Sequence, residues 1–176
     1  MKKFTLEDLQ SFEVVNGIFQ CPIGDYTSIE KFEQRCSFAE GCSFAEDCSF
    51  ARYCSFAEGC SFAEDCSFAE GCSFAEGCSF AEDCSFARCC SFAEGCSFAE
   101  GCSICDHKMQ NFKMRSISGI GEYERTMYVW NTEDGFYIQA GCFFDSIDKF
   151  KEVVIDKYGE DCTYLKAVEF LTSEWR

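Results

Sequence analysis

Between residues 36 and 105 the chain repeats one six-residue word. Cysteine stands at 36, 42, 48, 54, 60, 66, 72, 78, 84, 90, 96 and 102, and phenylalanine follows two residues later until Ile104 takes the last place. A period of six fits no simple helical stripe, and tandem repetition of so short a unit is the mark of a solenoid. Residues two apart on a strand share a face, so Cys and Phe point inward and the Ser between them points out.

The two letters after the alanine are not constant, and they vary with a longer period. The residue before each cysteine sorts by thirds into Gly41, Gly59, Gly77, Gly95; then Asp47, Asp65, Asp83, Gly101; then Arg35, Tyr53, Gly71, Cys89. Three words therefore make one coil of 18 residues, and twelve words make four. At ~4.8 Å between stacked strands the body is roughly 19 Å long. The preceding letter sorts in the same way. Glu40, Glu58, Glu76 and Glu94 stack on a first corner. Glu46, Glu64, Glu82 and Glu100 stack on a second, beside Asp47, Asp65 and Asp83. The third reads Arg52, Glu70, Arg88, Asp106, an alternating charge ladder favourable between neighbouring rungs. Stacked carboxylates instead repel, by about 1 kcal/mol per neighbour in water before screening. The first two corners thus carry charge that folding does not ask for. Solubility is the plain account of it, and a basic partner on the doubled ridge of the second corner is the sharper one.

Read from the phenylalanine, the word is F-A-E-G/D-C-S, which resembles the hexapeptide repeat of left-handed parallel β-helices. That resemblance implies a mainly β fold of about four triangular coils, with Phe in the large inward position usually held by an aliphatic residue. The array followed by a tail with Gly141-Cys142-Phe143-Phe144 also resembles a group of uncharacterised small proteins of phages and prophages that carry CSFGEG-type arrays. That second resemblance implies phage origin and transfers no catalytic residue.

The ends differ in composition from the array. Residues 1–35 read as an N-terminal cap: a short helix in TLEDLQSF, a hairpin around Asn16-Gly17, a turn-rich CPIGDYTS, and Phe32 in register as an imperfect rung. The array proper is 36–106. Residues 107–176 read as a ββαα module. Its two strands join through Asp134-Gly135. One helix carries Ile147, Phe150, Val153, Val154 and Tyr158 and stops at Gly159, and a second has a stripe of Tyr164, Leu165, Val168, Leu171 and Trp175. The sequence leaves three roles open for this module, docking on the last rung, dimerising or holding a partner, and homo-oligomerisation through it is the expectation.

Charge narrows the partners. With 31 acidic against 15 basic residues the formal charge is −16, which argues against direct contact with nucleic acid or membrane phosphates and permits cationic proteins. Seventeen cysteines suggest a disulfide scaffold only until their placement is considered. The count is odd, twelve hold one packing position, and MKKFTLEDLQSF has no leader-like apolar run, so reduced thiols in a cytoplasm are expected. No segment reaches transmembrane length.

Catalytic chemistry is sparse. Hexapeptide-repeat acyltransferases use a histidine base, and His107 is the sole histidine, placed at the end of the array. Cys102-Ser-Ile-Cys105-Asp-His107 has the look of a metal motif, but in register Cys102 points in and Cys105 out, so no metal or other cofactor is expected. Cys89 is the array cysteine outside the packing position and the best candidate for an exposed thiol. The leading expectation is a non-enzymatic acidic protein that blocks the basic face of a host protein in defence or nucleic-acid binding. Mimicry is one route: twelve acids in 36–105 over ~19 Å give roughly one per 1.6 Å, near the ~1.7 Å per charge of duplex DNA. Its partner site is Glu46, Asp47, Glu64, Asp65, Glu82, Asp83 and Glu100, with Glu40, Glu58, Glu76 and Glu94 as a secondary ridge. A phage scaffold protein is the second expectation, and an acyltransferase the third.

Overall fold

The structure, a computed structural model, describes residues 1–121 and 124–173, with the side chains of 111–113 outside the description. The chain forms two compact units, Met1–Lys108 and Met109–Arg176.

The first unit is a β-solenoid with three parallel sheets, one per side. Its strands are two-residue Ser-Phe segments, aligned Ser55↔Ser73↔Ser91 on one side, Ser61↔Ser79↔Ser97 on the next and Ser67↔Ser85↔Ser103 on the third. Partners are 18 residues apart, as the corner letters predict. Each rung donates backward from two amides: Ser73 N to Cys54 O at 3.0 Å and Ala75 N to Phe56 O at 2.9 Å are typical. At the corners the direction reverses, so that Gly59 N donates forward to Glu76 O at 3.0 Å. Strands of two residues are stable here because corner and side bond in opposite directions, which ties each coil to both neighbours.

Phenylalanine fills the interior in three columns. Phe62 stacks on Phe44 and Phe80 with centroids 4.8 and 5.0 Å away and planes within 6°. It meets Phe56 and Phe68 of the adjoining sides edge-on, both at 4.9 Å and near 90°. Every ring therefore has offset neighbours along its column and edge-to-face neighbours around the coil, the two favoured aromatic geometries. The cysteines pack between them with a second task. From Cys60 to Cys102 each thiol donates to the corner carbonyl of the alanine 21 residues earlier, at 3.2–3.6 Å. A small apolar residue with a weak donor meets both needs of that position.

The solenoid has about five turns, one more than the twelve words supply. Phe19-Gln20-Cys21 pairs in parallel with Cys36-Ser37-Phe38, Asp25 bridges Ser43, and Lys31-Phe32 pairs with Ser49-Phe50. Cys21, Tyr26 and Phe32 are the inward residues of this added coil. Tyr26 stacks on Phe44 at 5.6 Å, and its hydroxyl, which burial keeps protonated, donates to Pro22 O at 2.6 Å. Above it lies Phe4, stacked at 5.0 Å, with Phe12 edge-on to Phe4. Gly24 is glycine because the Phe4 ring occupies the space a Cβ would need. Helix α1 (Leu6–Ser11) completes the lid, held by a Thr5–Asp8 capping box that also draws the Asp8 carboxyl below its ordinary range. The hairpin at Asn16-Gly17 forms as expected, with both residues at positive φ.

At the other end the chain reverses. Cys105 and Asp106 have φ of 49° and 67°, and Ile104 pairs antiparallel with His107, Ser103 with Lys108. The last parallel strand is thereby covered by an antiparallel one.

The second unit contains four antiparallel strands among the described residues, two more than the expected ββαα. The strand His107–Ile120 pairs with Arg125–Thr132, which pairs with Gly135–Ala140, which pairs with Phe143–Ser146. The first of the extra strands is polar and irregular in sequence, with shifts of register near Met109 and Ile117, so alternation does not announce it. The hairpin loop is Glu133-Asp134, one residue earlier than expected, closed by Thr132 Oγ1 donating to Gly135 O at 2.8 Å. Helices α2 (Ile147–Tyr158) and α3 (Thr163–Thr172) pack Phe150, Val154, Val168 and Leu171 against Met127, Val129 and Ile138. Ser146 caps α2 by accepting from Lys149 N, and Gly159 ends it at φ 81°. Val153 and Tyr158 are exposed, not core, and Trp175 lies outside the described residues.

Candidate functional site

The three corners of the solenoid carry its chemistry, and they differ. On the second corner Asp47 N donates to Glu64 O at 3.0 Å, Asp65 N to Glu82 O at 3.0 Å and Asp83 N to Glu100 O at 2.9 Å. The backbone of this ridge is a continuous hydrogen-bonded ladder, so its seven carboxylates are carried in a fixed row at rung spacing. All seven residues, Glu46, Asp47, Glu64, Asp65, Glu82, Asp83 and Glu100, are exposed. None of their side chains has an ion-pair or hydrogen-bond partner among the described residues. Asp47, Asp65 and Asp83 sit at φ of 60°, 58° and 57°, left-handed backbone that favours glycine.

On the first corner glycine does occupy that position, and the result is a shallow, open groove. Glu40, Glu58, Glu76 and Glu94 form its walls, Gly41, Gly59, Gly77 and Gly95 its floor, and Ile23 closes one end. A Cβ at Gly59 or Gly77 would meet nothing within 4 Å, so glycine serves the backbone here and leaves open space beside four carboxylates.

The third corner is mixed. Arg52 Nε lies 3.8 Å from Glu70 Oε2 with both side chains well exposed, a pair of small energetic weight. Among the described residues the ladder goes no further as ion pairs. Asp106 belongs to the reversing turn and shares a shallow depression with Arg88 and Cys105. Burial pushes the Cys105 thiol up to about 11. The feature of this corner that residue sorting does not reveal is Tyr53. It holds a left-handed φ of 61°, lies across Gly71 where a Cβ would strike its ring, and is still 49 % exposed. Arg35 donates from Nε to Tyr53 O at 2.9 Å and places its guanidinium 5.7 Å from the ring centroid. The clue in the sequence is the pairing of Tyr53 with Gly71, one rung apart in one column.

The thiols at the repeat position are placed for packing; Cys89, the expected candidate for an exposed thiol, is half-buried, and the exposed thiol is Cys142. Cys102 is buried and bonded to Ala81 O at 3.3 Å, Cys105 is half-buried in the turn, and His107 pairs with Ile104. Among the described residues no group of three or more His, Cys, Asp or Glu side chains comes together to hold a metal ion. Hydrogen bonding to the thiols above and below, and then burial, pushes Cys60, Cys72 and Cys84 upward, while the same thiol–thiol hydrogen bonds pull their column neighbours Cys54, Cys66 and Cys78 downward. Among the described residues no helix is long and apolar enough to cross a membrane. No protein-family model, no curated protein and no solved structure matches the chain.

Proposed function

We propose that the chain is a non-enzymatic acidic binding protein, phage-encoded and acting in the cytoplasm of a bacterial host, whose second corner covers the basic face of a host protein. One observation carries this reading. Asp47, Asp65 and Asp83 occupy left-handed positions that the first corner gives to glycine. There an L-residue costs about 1–2 kcal/mol relative to glycine, with Asp below that range because its short polar side chain tolerates the conformation. The aspartates also add like charge to a glutamate ladder that already repels. Folding disfavours them twice, and none gains an ion-pair or hydrogen-bond partner inside the chain. An intermolecular role accounts for what an intramolecular one does not.

The natural partner is a protein whose groove binds a polyanion, because a rigid row of carboxylates at rung spacing offers such a groove a dense, regular line of negative charge. The test is capture of host proteins from bacterial lysate by wild type and by the triple variant Glu46→Lys, Glu64→Lys, Glu82→Lys. The reading requires a partner that is retained at low salt, released at high salt, and lost by the variant. Equal capture by both proteins sinks it.

A further inference from the structure

We infer that the third corner is a self-association surface that seats in the first-corner groove of a second copy of this chain. The proposal starts from the third corner, where the chain departs from its own rule. Elsewhere in the array the left-handed corner position holds Gly, Asp or Cys; only here does it hold a large side chain, Tyr53, and the next rung supplies Gly71 to make room for it. The ring stays 49 % exposed, with Arg35 stacked beside it and Arg52 and Arg88 exposed along the same corner. An arginine-flanked aromatic is the composition that anchors protein interfaces.

The groove complements it in charge and leaves room for it. It is walled by glutamates and floored by glycines with open space above Gly59 and Gly77, whereas the second corner fills the same position with aspartate. The open space above the glycines leaves room for the Tyr53 ring, and the glutamates face the exposed Arg52 and Arg88, of which Arg52 has only a loose, exposed pair with Glu70. Pitch matches as well. Both corners belong to one solenoid, so in two copies with parallel axes Arg52 and Arg88, two rungs apart with Glu70 between them, face every second glutamate of the first corner. The surfaces differ, which makes the contact heterologous. It spans only about four rungs, roughly 19 Å, and so belongs to the weak, reversible class of interfaces.

Net charge opposes association, and screening decides the balance. At ~0.1 M salt the Debye length is ~10 Å, which mutes repulsion between distant charges of two acidic chains while leaving direct Arg–Glu contacts. At ~1 M it is ~3 Å, and the contacts weaken too.

Sedimentation of the full chain across protein concentration is the test. Wild type should associate reversibly at ~0.1 M salt and at least about tenfold less tightly at ~1 M. Arg52→Glu with Arg88→Glu should weaken association at ~0.1 M salt by at least about tenfold. Tyr53→Gly should weaken it by a similar factor while melting no lower than wild type, since glycine suits φ 61°; loss of association then cannot be misfolding. A chain that stays monomeric at ~0.1 M salt up to about 1 mM overturns the proposal, as does association that survives both variants. The two variants leave the second corner intact, and reversal of Glu46, Glu64 and Glu82 leaves this contact intact, so each reading fails separately.

Discussion

Cys72 Sγ lies 3.4 Å from the carbonyl oxygen of Ala51, the corner carbonyl of the rung before. The thiol thus fills a space between phenylalanines and supplies a donor to a buried acceptor. Cys72→Ala removes both and should cost about 1–3 kcal/mol. Cys72→Ser keeps a donor and should cost less. Urea unfolding of the two variants gives the order, and an equal loss would mean that the thiol contributes packing alone.

Phe62 touches rings above, below and on both adjoining sides. Phe62→Ala should therefore fall in the range of about 3–5 kcal/mol, with Phe62→Leu roughly half as severe. The loss should appear as a lower unfolding midpoint by circular dichroism. Because coils contact only their neighbours, the same substitution at Phe92, the last phenylalanine of its column, should be milder.

Asp65 has φ 58° and no ion-pair or hydrogen-bond partner among the described residues. Asp65→Gly should raise stability, by about 0.5–1 kcal/mol, and lower affinity for the ridge's partner. Paired melting and binding measurements check both signs. A variant that melts higher and binds equally well would assign the aspartates to solubility.

Thiol reactivity should divide the seventeen cysteines into three classes. Cys142 is exposed and should react first with a thiol reagent; Cys89, Cys96 and Cys105 are intermediate; the other thirteen should appear only on unfolding. Cys105 adds a pH dependence. Burial raises its folded value to about 11 from an ordinary value of 9.0, so the folded chain holds this proton more tightly than the unfolded chain. Its contribution to stability is complete below pH 9 and is lost as pH rises through 11. Urea midpoints between pH 8 and 11 should fall, and Cys105→Ala should flatten part of that fall.

Much of the solenoid was legible because each rung contacts copies of itself, so one word states both partners of nearly every contact. Sorting by eighteen placed Gly59 on Gly77 and Asp65 on Asp83 before any geometry was needed. The fifth turn was not legible, because Phe19-Gln20-Cys21 swaps the large and small positions and breaks the word while keeping the register. Tyr26 sits six residues before Phe32 and twelve before Phe38, yet its surroundings read as turn. In the second unit the strand before Arg125 lacks alternation, so its place came from pairing that no local pattern encodes. Among candidate sites, the acidic corners follow from the sequence directly. The groove and the Tyr53 patch depend on where a ring lies and where space is left, which a column of letters does not contain.

The reversing turn at Cys105-Asp106 bears on how such an array changes length. The lid of the first coil and the antiparallel strand over the last are each built on particular sides of the triangle, through Tyr26 against Phe44 and Ile104 against His107. Adding one word moves the closing hairpin to the next side, and adding two moves it to the one after. Three words restore its azimuth. Gain or loss of repeats is therefore silent to both ends only in steps of eighteen residues, and unequal recombination within the array is filtered to every third crossover. The solenoid counts its own insertions, and it counts in threes.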